Sequence, residues 1–489
     1  MFETAFAQLR YAASVIFAIP FDLRALDRLV EGILATQQEF RALGSDSAEF
    51  LGGPELDEVT RRDVQLRRFR TQAKRAVTET EYYHQQFESL GIDPAKLTYE
   101  DILRIPVTPK EALRNDPDAF VRRGSNPAFR TTTTGTTGKP TSVYFTAREI
   151  QATGLLAAIT FIQSGQITPE DIVQISTSSR ATLGNTCFSQ ACQRIGAVWF
   201  QTGLVDPAHA LMLLSEDHHL PGKKSRASFL NTYASYLGEL VECGLSNSYS
   251  PADFGLERIS VGGEIVTAGL KNRCQKLFGP VEFIQGYAMT ETWPFSGMRC
   301  AEGHLHFEPS QGLLEVIDPD TSKPASRGQM GTIVATPFAP YREASVVLRY
   351  DTEDVVGVIA GSLTCNLKHW PATTDLHGKL RLSVRANDGW IHPRQVREAL
   401  EGVEEVPLPA RCGFWAVPGG VGVEVLVREA NAVLYHKISQ CLEEQSVPVQ
   451  ELRLVEDASQ LQHPLPLRCD LREALFDSRS LFERPTAKP

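Results

Sequence analysis

Thr131-Thr-Thr-Thr-Gly135-Thr-Thr-Gly138-Lys139-Pro140 is the stretch on which the reading of this chain turns; its ten residues hold six threonines and two glycines. Glycine frees a backbone to curl until successive N–H groups point at one anion. Threonine hydroxyls add donors aimed at the same place, and Lys139 adds a mobile positive charge. The residues that follow, Thr141-Ser-Val-Tyr-Phe-Thr146, have the β-branched and aromatic texture of a strand, which sets the loop between β segments. A Walker loop needs four residues between its glycines and Gly-Lys-Ser/Thr at the start of a helix, and this segment has neither. Taken alone, it is a phosphate loop or a solvated polar turn.

Working outward, the chain before this loop reads as largely helical. Asp22 to Leu43 and Arg61 to Leu90 carry apolar residues at three- and four-residue spacing among charges, and Gly91 is placed to stop the second run. After the loop, short buried strands (Asp171-Ile-Val-Gln-Ile-Ser, Ala197-Val-Trp-Phe, Arg258-Ile-Ser-Val-Gly) alternate with helices, which predicts an α/β architecture. From 310 to 360 the segments Leu313 to Asp318, Gly331 to Thr336 and Val346 to Tyr350 predict antiparallel β structure. Pro371 to Gly378 reads as a connector. Beyond it lies a smaller mixed unit with a strand at Gly422 to Val427 and helices at Pro393 to Leu400 and Ala432 to Glu444. The expected organisation is a large multi-subdomain α/β domain over 1–374 and a small α+β lid over 375–489.

Three further motifs follow in order. Gly262-Gly263-Glu264 ends a strand, Gly286-Tyr287-Ala-Met-Thr290-Glu291 follows another, and Arg349-Tyr-Asp-Thr-Glu-Asp354 lies in the β region. A carboxylate such as Glu291 is the hard oxygen ligand that phosphate-bound Mg²⁺ prefers. A carboxylate such as Asp354 can accept from two hydroxyls at once. Alone, Thr290-Glu291 also fits a helix-start cap, and the Asp354 motif also fits a charged turn.

Together the four motifs resemble those of the adenylate-forming enzymes. That superfamily's phosphate loop reads Ser/Thr-Ser/Thr-Gly-Thr/Ser-Thr-Gly-Lys-Pro, which Thr133 to Pro140 matches throughout. Tyr82-Tyr83, Gly91-Ile-Asp-Pro94 and Ile105-Pro-Val-Thr-Pro-Lys110 resemble the flanking text of the phenylacetate–CoA ligase-like branch, and the likeness spans about residues 60 to 475. The resemblance implies ATP bound by Thr133, Thr134, Gly135, Thr136, Thr137, Gly138 and Lys139. It sets the backbone of Gly263 and Glu264 against adenine, Gly286 and Tyr287 at the base, and Thr290 at the α-phosphate. It also gives Mg²⁺ to Glu291 and the ribose to Asp354, with Lys379 standing where an arginine is usual. The implied activity is conversion of an organic, aromatic carboxylic acid to an acyl-AMP, followed by transfer to CoA or to the phosphopantetheine of an acyl carrier protein. The lid is expected to rotate between the two half-reactions. Phe188, Phe283 and Trp293 are candidates for an apolar acid pocket or for core.

The chain also departs from the pattern. Asp351 and Glu353 replace the arginine and glycine of Arg-Tyr-Arg-Thr-Gly-Asp, so a different turn is expected there. Pro464, in Gln462-His-Pro-Leu-Pro-Leu-Arg468, falls where the family carries the lysine that contacts carboxylate and α-phosphate. Losing a preorganised charge of that kind costs roughly a hundredfold in rate. Three readings follow. Lys139, Arg468 or His463 replaces the lysine; or the enzyme is an acyltransferase that moves acyl groups between CoA and a carrier protein without adenylation; or the chain is a nucleotide-binding pseudoenzyme. The retained phosphate loop and Glu291 favour the first.

Cys300-Ala-Glu-Gly-His-Leu-His306 and Cys365-Asn-Leu-Lys-His369 resemble the two places from which some relatives hold a structural zinc. Cys300, His306 and Cys365 are the expected ligands, with His304 or His369 as the fourth; buried thiols beside surface histidines would look the same. Ser215-Glu-Asp-His-His219 reads by default as a solvated loop.

Composition narrows the classes. With 489 residues the chain exceeds one core, and 42% hydrophobic with 22% charged residues is ordinary for a globular protein. A net charge of −10 argues against nucleic acid. The apolar run Tyr11 to Phe21 is about half the ~20 residues a membrane span needs, so no membrane partner and a cytoplasmic location are expected. Nine scattered cysteines without a CxxC pair read as reduced thiols.

Overall fold

In the computed structural model, which describes residues 2–40, 57–133, 140–386 and 389–472, the short apolar runs read from the sequence become the centre of an eight-stranded sheet. Five strands are parallel, in the order Val198–Gln201, Ile172–Ser176, Phe229–Tyr233, Arg258–Gly262 and Glu282–Tyr287. Every residue of Ile172–Ser176 is buried, as expected of a parallel strand covered on both faces by crossover helices. Gly297–Arg299, Leu305–Phe307 and Ala372–Thr373 extend the sheet with antiparallel pairing. The helix after Ile172–Ser176 leads to one side of that strand, and the helix after Phe229–Tyr233 leads to the other. The order therefore reverses between these two neighbours, and their carboxyl ends open a crevice where ligands of such sheets bind.

The N-terminal portion is helical as expected. Asp57 caps Glu58–Glu79 through a bond from Thr60 N, and Thr80 both ends that helix and caps Glu81–Leu90. Gly91, at φ +63°, closes the second helix. Phe2–Phe17 and Leu23–Phe40 bury Ala7, Leu26 and Val30 against the helix Ala147–Gln163. No helix among the described residues is long and apolar enough to cross a membrane.

The β region forms a four-stranded antiparallel sheet in the order Gly312–Ile317, Met330–Pro337, Tyr350–Gly357 and Gly378–Lys379. The strand expected from Val346 starts only at Tyr350; Val346, Val347 and Leu348 are instead buried against the N-terminal helices. Nor does the turn at Glu353 differ from what a glycine would give. Glu353 adopts φ +61°, inside the region glycine favours, and its N–H is held by Asp351 Oδ1 at 2.8 Å. The stretch read as a connector carries two of the strands named above, so the chain leaves the larger unit only after Lys379.

The smaller unit has its own apolar core, from Ile391 to Val447. Cys412–Val417 pairs antiparallel with Gly420–Leu426, which pairs parallel with Val449–Val455; Pro393–Glu401 and Ala432–Glu444 belong to the same core. It docks on the helix Ala268–Phe278. Arg273, buried, donates to Val406 O at 2.9 Å and Glu401 O at 3.1 Å, and also to Val403 O. Contact is so close at Gly269 that a Cβ there would lie 2.1 Å from Glu401 O.

Candidate active site

The parallel strands deliver their carboxyl ends to a cavity of about 260 Å³. Every nucleotide-site residue expected from the sequence and lying among the described residues lines it: Thr133, Gly263, Glu264, Gly286, Tyr287, Thr290, Glu291, Asp354 and Lys379. Thr134, Gly135, Thr136, Thr137, Gly138 and Lys139 lie outside the described residues. The base of their loop is closed by Thr133 and Thr141, whose backbones pair at 2.9 Å, with Thr133 Oγ1 accepting from Thr141 N at 3.0 Å.

At the cavity floor Glu291 is 1% exposed. Lys110 Nζ lies 3.1 Å from its Oε1, and Tyr350 OH donates to the same oxygen at 3.2 Å. Burial opposes ionisation of Glu291, but the adjacent Lys110 charge prevails and holds the carboxyl below its ordinary value. Sequence reasoning quoted Lys110 only as flanking text; its place at the end of Ile105-Pro-Val-Thr-Pro-Lys was the available signal.

Asp354 Oδ2 accepts from Lys379 Nζ at 2.8 Å and from Tyr287 OH at 3.0 Å. Lys379 also reaches Thr352 O at 2.9 Å. Burial lowers the Lys379 ammonium from its ordinary value, with Asp354 opposing, and pushes the Tyr287 hydroxyl well up. Tyr287, expected at the base, donates to the carboxylate expected at the ribose, while its ring packs edge-on to Phe307. Glu264 is likewise committed, accepting Ser235 N on Oε2 at 2.8 Å and Arg468 N on Oε1 at 2.7 Å.

Of the aromatic candidates only Trp293 lines the cavity; Phe188 and Phe283 pack into cores on the two faces of the sheet. Arg180 and Arg468 also line it. Arg180 sits in the loop after Ile172–Ser176, where no sequence pattern singled it out. The His463 ring lies 5.2 Å from that of Trp415, tilted against it, and its backbone N–H donates to Glu424 in the smaller unit's sheet. Pro464 bridges to Gly413 in that same unit.

Away from the cavity, Cys300, His304 and His306 gather with ligand atoms within 4.8 Å of one another. Cys365 Sγ lies 3.2 Å from His306 Nε2, and Cys300 Sγ lies 3.9 Å from His304 Nδ1. Tetrahedral Zn–S and Zn–N bonds separate their ligand atoms by about 3.5 Å. Among the described residues the gathered group is Cys300, His304 and His306, with Cys365 touching it through His306; His369 does not belong to it. In the loop at 215–219, Asp217 pairs with Arg226 at 2.7 Å, and its acidic and imidazole groups do not gather among the described residues.

Comparison with known proteins gives the setting for this geometry. The model of the family described as AMP-binding enzyme matches residues 55–336. The phenylacetate-coenzyme A ligase of Thermus thermophilus is 25% identical over 368 residues, covering 72% of this chain and 78% of that protein. The phenylacetate-coenzyme A ligase of Pseudomonas putida is 26% identical over 312 residues, 62% of this chain and 67% of that one. Among solved structures, 2-hydroxyisobutyryl-CoA ligase in its postadenylation state superposes with TM-score 0.68 at 18% identity, over 84% of this chain and 88% of the other. Its thioesterification-state structure gives 0.57 at 19% identity, over 84% and 89%.

Proposed function

The chain belongs to the AMP-binding enzyme family, in the phenylacetate–CoA ligase-like group of adenylate-forming enzymes, and from that premise we propose that it joins an aromatic carboxylic acid to a thiol through an acyl-adenylate. The carrying observation is the convergence of Thr133, Glu291 with Lys110, and Asp354 with Lys379 on one cavity at the carboxyl ends of the parallel strands.

A carboxylate is a poor electrophile. In the first half-reaction its oxygen attacks the α-phosphorus of ATP, the bond to the β-phosphate oxygen breaks, and pyrophosphate leaves. In the second, a thiolate attacks the acyl carbon and AMP departs. The Thr133 hydroxyl, whose oxygen accepts from Thr141 N, keeps its proton to donate to a phosphate oxygen, as the resemblance implies for the loop that follows, and Thr290 donates beside the α-phosphate. Asp354, held by Tyr287 and Lys379, accepts from the ribose hydroxyls. The backbones of Gly263 and Gly286 line the cavity where this reading sets the base. Glu291, kept anionic by Lys110, fits a Mg²⁺ ion, which when bound neutralises phosphate charge. Trp293 contributes an apolar wall for the acid.

CoA is the acceptor favoured by the names of the relatives, with a carrier-protein phosphopantetheine as the other thiol of the same chemistry. The lid of this reading is the unit expected from 375 onward, turning against the domain over 1–374, with the strand Gly378–Lys379 still paired to that domain's sheet and the turning part following it. Cys300, His304, His306 and Cys365 hold a structural zinc ion in this reading.

The test is acid-dependent pyrophosphate release from ATP over a panel of aryl and short acyl acids, with Glu291→Gln as control. Release that follows one acid and disappears in the variant supports the ligase. Thioester exchange between acyl-CoA and a carrier protein without ATP, with no release for any acid, would overturn it.

A further inference from the structure

Where the ligase reading sets the acid, one cation stands at the edge of an apolar wall. Ala181, Leu183, Gly184 and Trp293 form that wall, and Arg180 lines the cavity beside them. Arg180 follows Ile172–Ser176 in a turn held by hydrogen bonds. Ala181 N donates to Ser178 O at 2.9 Å, and Arg180 N donates to Ser178 Oγ at 3.3 Å. From the helix Thr182–Ile195, buried Asn185 donates to Ser178 O at 3.1 Å and accepts from Thr177 Oγ1 at 2.5 Å. The Thr131 and Thr182 hydroxyls, 2.7 Å apart, tie the start of that helix to the strand Pro127–Thr132. The turn that carries Arg180 is therefore built by the protein's own bonds.

This end lies apart from the nucleotide end. Three strand spacings of about 4.8 Å separate the end of Glu282–Tyr287, where the reading sets the base, from the end of Ile172–Ser176. Arg258–Gly262 and Phe229–Tyr233 end between them. There Arg468 Nε donates to Gly263 O at 2.8 Å, and its Cζ lies 5.1 Å from the centre of the Tyr233 ring.

Among the described residues no carboxylate pairs with the Arg180 guanidinium. The three carboxylates that line the cavity are engaged elsewhere: Glu264 accepts Ser235 N and Arg468 N, Glu291 faces Lys110, and Asp354 faces Lys379. The neighbouring wall offers no side-chain acceptor, because alanine, leucine and glycine have none and the tryptophan indole only donates. A simple aryl acid would rest its ring on this wall and leave the guanidinium to water. An acid with a second carboxylate would bring the partner that the protein does not.

We propose that the acid this chain activates is an aromatic dicarboxylic acid, whose second carboxylate lies against Arg180 while its ring rests on Leu183 and Trp293. The proposal rests on the ligase reading and narrows its substrate class. A guanidinium is planar, permanently charged and able to donate to both oxygens of a carboxylate at once. It also offsets the repulsion that a dianion meets beside the phosphates of ATP. A charged donor of this kind sorts acids that carry the acceptor from those that lack it, more sharply than apolar contact can. Arg180 is thus a specificity residue: it touches the far end of the acid and takes no part in the bonds that form and break.

The experiment measures acid-dependent pyrophosphate release by the full-length chain with matched acids: benzoate against isophthalate and terephthalate, and phenylacetate against 4-carboxyphenylacetate. The wild type should use one of the dicarboxylates with kcat/KM about tenfold or more above that of its monoacid. In Arg180→Ala that ratio should fall by about ten- to a hundredfold with the KM for ATP unmoved, and Arg180→Lys should keep part of the preference. A wild type that prefers the monoacid of every set would overturn the proposal and leave the ligase reading standing. So would an unmoved ratio in Arg180→Ala with both acids losing rate together, and a raised KM for ATP would hand Arg180 to the phosphates instead. No release with any acid would overturn the ligase reading, and the proposal with it.

Discussion

Lys110 Nζ and Glu291 Oε1 stand 3.1 Å apart at the floor of the cavity, both nearly sealed from solvent. A pair this buried adds little net stability, but removing one member strands the other. Lys110→Met should therefore lower stability by about 3 kcal/mol and raise the pH at which Glu291 ionises. The check is a denaturation series, with the pyrophosphate assay followed down to pH 5. Because the folded-state value of Glu291 lies below its ordinary one, its contribution in the native protein is present at neutral pH and disappears only as the medium becomes acid through that lowered value. In Lys110→Met the loss should begin at a higher pH. An unchanged acid limb would show that Lys110 does not govern this carboxylate.

Tyr287 and Asp354 give a gentler test. Tyr287→Phe deletes one neutral-to-charged hydrogen bond, worth about 1.5–3 kcal/mol, and leaves Lys379 on the same oxygen. The KM for ATP is expected to rise by roughly tenfold, with kcat nearly unchanged. Asp354→Ala should raise KM further. A fall in kcat with KM unmoved would mean that the pair serves the chemical step rather than the nucleotide.

For the thiol and imidazole cluster, metal analysis of purified protein should find about one zinc ion per chain. Cys365→Ser or Cys300→Ser should remove it. A strong chelator should lower the unfolding temperature by several degrees, because metal affinity at such sites is folding free energy. His369→Ala should leave the zinc in place, whereas His304→Ala should not.

The histidines beside the connection set an acid limit of another kind. His377 and His392 lie 5.8 Å apart, and burial holds both imidazoles down to about 4, with Arg394 adding to the effect at His377. Their folded values lie below the ordinary ~6.5, so the unfolded chain takes up these protons first. Stability is complete above about pH 6.5 and declines toward pH 4, by up to about 3 kcal/mol for His392. Melting curves of His392→Asn should be visibly flatter over that interval than those of the wild type. Parallel curves would contradict the linkage.

Much of this was legible because it is local. Four motifs in order, a glycine at 91 closing a helix, and short β segments alternating with helices are patterns of neighbouring residues. What escaped was set by distance in space. Nothing in the sequence tells that Lys110 reaches a carboxylate 181 positions later, or that a segment beyond the lid's core returns to Gly263. Glu353 failed for a different reason: a side-chain hydrogen bond from its neighbourhood holds a backbone shape that residue type alone argues against. The choice between His304 and His369 escaped because the two are equivalent on paper; only the fold brings His304, and not His369, together with Cys300 and His306. The loop at Thr134 to Lys139 and the last residues stand where the reading began.

Gly269 turns the seam between the two units into a gauge with a tolerance of one hydrogen atom. Within a helix, alanine is favoured over glycine by about 1 kcal/mol, yet the added methyl would collide with Glu401 O across the seam. One substitution would thus stiffen the helix and shim the lid outward at the same time. A chain wedged in this way is a means of dissecting the catalytic cycle: whichever half-reaction needs the seam closed would stop, while its partner ran on from supplied intermediate.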